Sequence, residues 1–299
     1  MTDLDPRLHA YRPDLADVRL KGKVAAKRFV EGELRHFRGH GQAHFSDEPR
    51  IGAGRTASLS LGDEIRVFDE SRDHDHLHWQ WAQRVRDGYV GYILKVSHAF
   101  IDGPFEPTHI VSIPKTFGYL QGPDMKLGGL PRYMGDRVRV VDEATTRGTT
   151  YLGCSSGPEG TTEWFVQQHL RALSTLADED DWPSWAAALH GLPYLWGGET
   201  GYGVDCSGLV SLAMRMIGRD VPRDSDMQAG GLGDPLPDLG DLRRGDLVFW
   251  RGHVGIMEDE RTLLHANGHT MTVAREPLAE AIERIGYLYG QPTGARRVA

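Results

Sequence analysis

Asp205-Cys206-Ser207-Gly208-Leu209 places a thiol at the point where a helix begins. From Leu209 onward, apolar residues recur at the spacing of one helix face, and Gly218 offers a C-terminal stop. Asp205 is then a natural N-cap, and Cys206 lies in the first turn. Unpaired backbone N–H groups and the helix dipole favour negative charge there. We therefore expect the pKa of this thiol to lie below its free value of roughly 8.5, as in a nucleophile.

Two histidines further along the chain are candidates for the base that such a nucleophile needs. Residues 253–257 and 262–266 indicate two strands of a hairpin centred on Asp259. His253 faces away from the apolar side of its strand. A hairpin with that centre would place His253 directly opposite His265, with Cβ atoms about 4.5–5.5 Å apart. One imidazole could then hold the other in position.

Six segments, in order over residues 182–290, resemble the signatures of the NlpC-type, papain-like murein peptidases. These segments are Pro193-Tyr194-Leu195-Trp196-Gly197-Gly198, Val204-Asp205-Cys206-Ser207-Gly208-Leu209, Arg223-Asp224-Ser225-Asp226-Met227-Gln228, Gly245-Asp246-Leu247-Val248-Phe249-Trp250, His253-Val254-Gly255-Ile256 and Leu264-His265-Ala266. The resemblance implies that Cys206 attacks the carbonyl, His253 acts as base and His265 orients it. It also implies that Tyr194 helps to polarise the oxyanion. The structural alternative for Tyr194 is a strand aromatic that packs on Trp196.

The same resemblance implies substrate contacts at Asp205, Ser207, Arg223 and Ser225. These residue types suit a short, charged peptide. Asp205 can cap the helix and still offer an oxygen to an ammonium group, while Arg223 can hold a carboxylate in a bidentate fork. In the simpler alternative, Asp205 only caps the helix and Arg223 only forms a surface ion pair, which contributes little energy.

The first half of the chain contains an internal repeat. Residues 61–70 recur as residues 134–143, an offset of 73 with six identities in ten. Short strand-like runs with frequent turns follow each copy, which indicates small β-barrels. The run Asp87-Gly88-Tyr89-Val90-Gly91-Tyr92 resembles the closing strand of bacterial Src-homology-3-like barrels. This second resemblance covers about residues 22–170.

The predicted fold class is therefore an α+β papain-like catalytic domain preceded by two small all-β barrels. The predicted boundaries are an N-terminal extension over 1–21, barrels over 22–100 and 105–172, a peptidase domain over 182–290 and a tail over 291–299. The extension could be ordered or loose. The acidic run at 178–181 is typical of a solvated linker, and a helix is expected to start at Trp182-Pro183.

Composition argues against several classes of partner. A net charge of −8 and a pI near 5.9 disfavour nucleic acid and anionic membranes. No apolar run reaches the length of a membrane span, and the first residues lack the basic and apolar regions of a secretory signal. The only cysteines, Cys154 and Cys206, provide no disulfide framework. We therefore expect a cytoplasmic protein.

A further cluster invites a metal hypothesis. His74, His76 and His78 alternate along the chain and could share one face of a strand. No fourth ligand stands at a zinc-like spacing, so a solvated loop is the simpler interpretation. We expect no metal or other cofactor, and Cys154 is interpreted as uninvolved in catalysis.

The predicted reaction is amide hydrolysis through a thioester. The resemblance implies a murein-derived peptide, cleaved between γ-D-glutamate and a diamino acid such as diaminopimelate. The absence of an export signal favours recycling of imported fragments. Two alternatives remain open: an acyltransferase or thioesterase on the same fold, and a non-catalytic wall-binding protein.

The first barrel is expected to wall off one end of the Cys206 groove, as the resemblance implies for cytoplasmic relatives. Such a groove would accept peptides with a free N-terminal L-Ala. Asp205 together with Tyr89 or Glu48 could accept hydrogen bonds from that amine, and Tyr92 or Glu64 could serve instead.

Overall fold

A computed structural model describes residues 4–39, 43–73, 76–96, 99–155, 162–177 and 181–298. The chain forms two compact units, one from residues 1–111 with 116–173 and one from residues 112–115 with 174–299. His74 and residues 178–180 of the acidic run lie outside the described residues. No helix within the described ranges is long and apolar enough to cross a membrane.

The first unit consists of strands and short 3-10 turns. A parallel pair comes first, β1 (Leu15–Asp17) with β2 (Arg28–Val30). The first large sheet contains β3 (Glu33–Phe37), β4 (Ala43–Ser46), β5 (Arg55–Leu59), β6 (Glu64–Arg72), β7 (His78–Arg84), β8 (Val90–Leu94) and β9 (Phe100–Asp102). The second contains β10 (His109–Val111), β11 (Lys115–Tyr119), β12 (Gly129–Tyr133), β13 (Arg137–Thr146), β14 (Thr149–Ser155), β15 (Thr162–Val166) and β16 (Leu170–Ala172). The 3-10 turns are Val18–Leu20, Gln167–His169 and Leu173–Thr175.

The two large sheets share one topology. Their strand orders are β5-β4-β8-β7-β6-β3-β9 and β12-β11-β15-β14-β13-β10-β16. Adding seven to each strand number of the first order gives the second order. Each sheet also has an irregular register at the same place, between Val67 and Asp69 in the first and between Val140 and Asp142 in the second. The predicted internal repeat is therefore confirmed, and each copy is an all-β unit consistent with a small barrel.

The repeated sequence forms the same corner twice. Gly62 and Gly135 have φ values of 82° and 95°, a conformation that side chains disfavour. The following aspartates then accept a backbone hydrogen bond from three residues back, Ser60 N to Asp63 and Tyr133 N to Asp136, both at 2.9 Å. The Gly-Asp pair thus turns the chain into β6 and into β13.

The N-terminal extension is ordered over its described part. Ala10 and Leu15 are buried against Phe68 and Trp81 of the first sheet. The sequence left this segment undecided, and burial of its apolar side chains is the physical reason for its order.

The second unit combines helices with one antiparallel sheet of order β19-β24-β20-β21-β22-β23. Its strands are β17 (Glu199–Thr200) and β18 (Gly203–Val204), which form a separate hairpin, and β19 (Asp234–Pro235), β20 (Asp246–Trp250), β21 (His253–Met257), β22 (Thr262–Asn267), β23 (Thr272–Pro277) and β24 (Gly294–Arg297). Its helices are α1 (Trp182–Ala187), α2 (Cys206–Arg215), α3 (Ser225–Gly231) and α4 (Leu278–Tyr289). This is the predicted α+β class.

Helix α2 is the buried centre of this unit. All ten of its residues are buried, and it contacts β21 and β22. Gly218, with φ of 87°, ends the turn after the helix as predicted. Helix α4 covers another part of the sheet through Ala281 and Ile285.

The predicted tail over 291–299 is wrong for most of its length. Within it, β24 (Gly294–Arg297) pairs with β20 and also with β19, so it completes the sheet. Ala295 belongs to the core cluster beneath α4. The sequence Gly-Ala-Arg-Arg has little apolar character, which is why alternation gave no signal there.

Candidate active site

Cys206 is the first residue of α2, and only 7% of it is exposed. The Asp205 carboxylate caps this helix by accepting a hydrogen bond from Gly208 N at 2.8 Å. Its second oxygen accepts another from Gly197 N, also at 2.8 Å. Asp205 N in turn donates to Gly198 O at 3.1 Å, so the glycine turn is folded onto the start of the helix. The predicted N-cap is confirmed.

This close approach requires glycine at position 208. A Cβ atom there would lie 1.9 Å from Gly198 O, far inside van der Waals contact. The helix start and the turn can therefore meet only because Gly208 has no side chain.

A buried arginine supports the cap from the other side. Arg223 is 2% exposed and holds Asp205 with both ends of its fork, Nη2 to Oδ2 at 2.5 Å and Nη1 to Oδ1 at 3.1 Å. Nη1 also donates to Ser207 Oγ at 2.9 Å, and Nε lies 3.1 Å from Glu199 Oε2. The carboxylate that the Arg223 guanidinium holds is thus that of Asp205, from the protein itself, where the sequence analysis expected a substrate carboxylate.

The structure brings three of the four predicted substrate contacts together in this network. Asp205, Ser207 and Arg223 hydrogen-bond to one another, and Ser225 begins α3 nearby in sequence with little exposure. Their contacts fix the helix that carries the thiol. A role in binding substrate stays a prediction for all four.

The expected lowering of the Cys206 pKa is wrong. Burial raises the pKa of this thiol to about 12, and the neighbouring Asp205 carboxylate acts in the same direction. A backbone hydrogen bond from Val254, the positive charge of Arg223 and a backbone hydrogen bond from Ser207 oppose the shift but do not overcome it. The reasoning from the helix dipole assumed a partly exposed thiol, whereas Cys206 is covered, with its Sγ 3.9 Å from Gly252 O.

The two predicted histidines meet. His253 Nε2 lies 2.8 Å from His265 Nδ1, with the rings at 68° to each other. The predicted register is wrong by two residues, because Ile256 pairs with Leu264 and Met257 with Leu263, which moves the centre of the hairpin from Asp259 to Glu260. The imidazoles are therefore diagonal neighbours, a distance that aromatic side chains span.

A carboxylate that sequence reasoning missed extends this pair. His265 is fully buried, and its Nε2 lies 2.6 Å from Glu276 Oε1 on β23. Glu276 also accepts a hydrogen bond from Arg284 on α4. Position 276 is two residues beyond Ala274, the partner of His265, so an acidic residue on the same strand face was the available signal.

These contacts and the burial of the site shift the pKa values of His253 and Glu276, the two outer members of this hydrogen-bonded series. Burial lowers the pKa of His253 to about 3, with His265 and Arg284 acting in the same direction. For Glu276, burial acts to raise the pKa, but hydrogen bonds from His265 and Arg284 prevail and lower it to about 2. A neutral imidazole at 253 and a carboxylate at 276 follow at neutral pH.

Tyr194 is the residue predicted to donate to the oxyanion. Its backbone is fixed by a hydrogen bond from its N–H to Met271 O at 2.8 Å and by a bridge to Val204. Burial raises the pKa of its hydroxyl, and the proximity of Cys206 and Asp205 adds to this, so the hydroxyl keeps its proton. Trp196, on which Tyr194 would pack in the structural alternative, is 66% exposed. Its role in the oxyanion hole stays a prediction.

The two contacts predicted from the first barrel lie in the first unit. Tyr89 is 4% exposed and meets Phe45 edge to face at 6.3 Å between centroids. Glu48 is exposed and pairs with Arg50. Their roles toward a substrate amine stay predictions.

The remaining candidates belong to the first unit. Among the described residues there is no group of three or more His, Cys, Asp or Glu side chains that could hold a metal. His76 and His78 are exposed. Cys154 is buried in the core of the second sheet, where burial raises the pKa of its thiol to about 12.

Comparison with known proteins gives one family model, two relatives and one solved structure. The model of the NlpC/P60 family matches residues 191–284. The chain is 33% identical over 273 residues to Dipeptidyl-peptidase 6 of Lysinibacillus sphaericus, covering 83% of this chain and 97% of that protein. It is 28% identical over 256 residues to a Gamma-D-glutamyl-L-lysine dipeptidyl-peptidase of Bacillus cereus, covering 79% and 73%. The structure is similar to that of an NlpC/P60 family protein from Bacillus cereus, with a TM-score of 0.69 and 21% identity over 88% of this chain and 99% of that one.

Proposed function

The chain belongs to the NlpC/P60 family, and from this we propose that it is a cysteine peptidase that cleaves murein-derived peptides between γ-D-glutamate and a diamino acid. One observation carries the chemistry: a buried thiol at a helix start is combined with two hydrogen-bonded imidazoles. His253 uses Nε2 toward His265, which leaves Nδ1 as the ring nitrogen available to Cys206.

In the first half of the reaction Cys206 Sγ attacks the carbonyl carbon, and the thiol proton moves to His253. The oxyanion is stabilised by the Tyr194 hydroxyl and by the Cys206 N–H, which has no intrahelical acceptor at the first position of a helix. The C–N bond then breaks, and His253 returns the proton to the leaving amine. A thioester on Cys206 remains.

In the second half, water attacks the thioester with His253 again as base, which releases the carboxylate and restores the thiol. The shifted pKa values support proton transfer during attack over a preformed ion pair. With a thiol near 12 and an imidazole near 3, both groups are neutral at neutral pH. We infer that the rate depends on how well a bound peptide shields this transfer from water.

The names of the relatives support the substrate class. One of them is named Gamma-D-glutamyl-L-lysine dipeptidyl-peptidase, and the other is named Dipeptidyl-peptidase 6. We propose that this chain likewise releases an N-terminal dipeptide, L-Ala-γ-D-Glu, and that the diamino acid is diaminopimelate. We also place the reaction in cytoplasmic peptide recycling, for which the two free cysteines are the structural support.

The test is to incubate the protein with L-Ala-γ-D-Glu-diaminopimelate and with the L-lysine analogue and to identify products by mass. Cleavage should be lost in Cys206→Ala and retained in Cys154→Ala, which is the matched control because both thiols are buried. Activity that survives Cys206→Ala would refute the cysteine mechanism. Zinc chelators should have no effect.

The free amine is tested separately with the N-acetylated tripeptide. Acetylation removes a charge and adds bulk, so a buried acceptor would be left unpaired at a cost of about 1–3 kcal/mol. Comparable kcat/KM values for the free and the acetylated peptide would contradict an amine-reading site. Transfer of the acyl group to added hydroxylamine in preference to water would favour the acyltransferase alternative.

A further inference from the structure

We propose that Glu276 is a positioning residue for the base: acting through His265, it fixes the tautomer of His253 and supplies the negative charge that stabilises His253 once it has taken the thiol proton. The catalytic part of this inference, the effect of Glu276 on peptide cleavage, rests on the proposed function. It adds a fourth group to the predicted set of Cys206, His253 and His265.

The hydrogen-bond directions follow from the carboxylate. An ionised carboxylate only accepts, so at 2.6 Å from Glu276 Oε1 the Nε2 of His265 must carry a proton. In a neutral ring, Nδ1 of His265 is then an acceptor. His253 Nε2 must therefore donate across the 2.8 Å contact, and His253 Nδ1 is left with its lone pair. That is the nitrogen that a base needs.

The charge of Glu276 enters when His253 becomes an imidazolium. The positive charge is then linked through one buried ring to a carboxylate, in the manner of the aspartate in a serine triad. His265 is fully buried, so solvent does not screen this path. Arg284 binds the same carboxylate, and its positive charge opposes the stabilisation of the imidazolium by Glu276. Substitutions of Glu276 and of Arg284 should therefore have opposite effects.

The titratable and charged groups around the histidine pair come from four elements. They are Cys206 on α2 with its N-cap Asp205, His265 on β22, Glu276 on β23 and Arg284 on α4, and the loop between α2 and α3 adds Arg223. Removal of one negative charge from this set makes every proton on the thiol–imidazole pair easier to lose. Both macroscopic pKa values of the pair should then fall.

Glu276→Gln is the diagnostic variant because glutamine keeps an acceptor oxygen while losing the charge. Both limbs of its pH profile for kcat/KM should move down by about 0.5–1 pH unit. We expect kcat to fall about tenfold with little change in KM. Glu276→Met, which also removes the acceptor, should lower kcat by about 100-fold. Arg284→Gln should move both limbs upward.

The matched control is Glu258→Gln. Glu258 forms an ion pair with Arg275 on the same sheet, with Arg275 Nε 2.5 Å from its Oε2. It is joined to neither histidine, so its loss should leave both limbs in place. Limbs that coincide in Glu276→Gln, Arg284→Gln and wild type, or an equal shift in Glu258→Gln, would overturn the inference.

A second readout needs no substrate. The rate of iodoacetamide alkylation, measured against pH on the peptide that contains Cys206, reports how readily the thiol loses its proton. Its midpoint should move down in Glu276→Gln and up in Arg284→Gln. If the wild type cleaves no murein peptide but these midpoints move, the proposed function fails while the positioning role stands. If peptides are cleaved and no midpoint moves, only the positioning role fails.

Discussion

His265 lies diagonal to His253 across the β21–β22 hairpin, and the two rings still meet at 2.8 Å. The same diagonal brings the Leu263 side chain over Gly255, where an added Cβ would lie 2.6 Å from Leu263 Cδ1. Gly255 therefore allows Leu263 to pack along the same diagonal that joins the imidazoles. A side chain at position 255 would oppose it.

The first prediction concerns what can replace His265. Glutamine offers an oxygen to accept from His253 and an amide N–H to donate to Glu276, whereas alanine offers neither. We expect His265→Gln to lower kcat/KM for the tripeptide about tenfold and His265→Ala about 100-fold or more. His253→Ala should cost several orders of magnitude. Equal activity of the Gln and Ala variants at 265 would mean that ring position does not depend on this contact.

Gly208 gives a prediction about the helix start. Gly208→Ala would drive a methyl group into Gly198 O, so α2 must shift and the thiol with it. We expect loss of cleavage and a lowered melting temperature. Gly230→Ala in α3 is the control, because no atom lies within 4 Å of its added Cβ and alanine favours a helix. Similar melting of both variants would contradict the close contact.

Arg223 gives a prediction about buried charge. Arg223→Met would leave Asp205 buried without its counter-charge, at a cost of about 3–5 kcal/mol. Adding Asp205→Asn should recover part of that loss. The control Arg244→Met removes an exposed ion pair with Asp181 and should cost at most about 1 kcal/mol. Urea unfolding, followed by labelling of the Cys206 thiol, would measure all three variants.

Acid should destabilise the second unit in two stages. Burial lowers the pKa of His253 from 6.5 to about 3, so the unfolded chain binds an extra proton in this window. Stability is then full above 6.5 and falls as pH decreases, by up to about 1.4 kcal/mol per pH unit. Glu276 adds to the loss only below 4.5, its ordinary value, since hydrogen bonds from His265 and Arg284 lower its pKa against the effect of burial.

Among the groups of the second unit whose pKa is shifted, the interval from pH 6.5 to 4.5 therefore isolates His253. In His253→Gln the slope of unfolding free energy against pH should be shallower there than in wild type. Dithiodipyridine, which reacts with thiols in mild acid, can report each unit separately through Cys154 in the first and Cys206 in the second. Parallel slopes for wild type and variant at Cys206 would argue against a neutral, buried imidazole.

Local pattern predicted most of the second unit. The strand at 253–257 has the predicted bounds, α2 begins at Cys206, and likeness to solved structures confirms the papain-like class. The register failed because Asp259 caps the N–H groups of Arg261 and Thr262, which moves the turn by one residue. That choice depends on side-chain hydrogen bonds that periodicity cannot reveal.

Two further misses have a common cause in burial. Glu276 stands beside Arg275 and resembles an exposed strand position, yet α4 covers it through Arg284. The thiol pKa was predicted from the helix end alone, whereas the depth at which Cys206 lies reversed the sign. In both cases the sequence did not reveal how deeply the side chain is buried by the tertiary structure.

Because of the ion pair between Asp205 and Arg223, the helix start that carries the nucleophile depends on a second segment, whose arginine lies 18 residues further along the chain. A designer who transplants only the Asp-Cys-Ser-Gly helix into another scaffold would bury an uncompensated anion under the thiol. The loop that carries the arginine has to travel with it. The same argument applies to a chain that has the short motif but an apolar residue in place of the arginine. Such a chain is a candidate for a protein whose cysteine only packs in the core and whose catalytic activity has been lost.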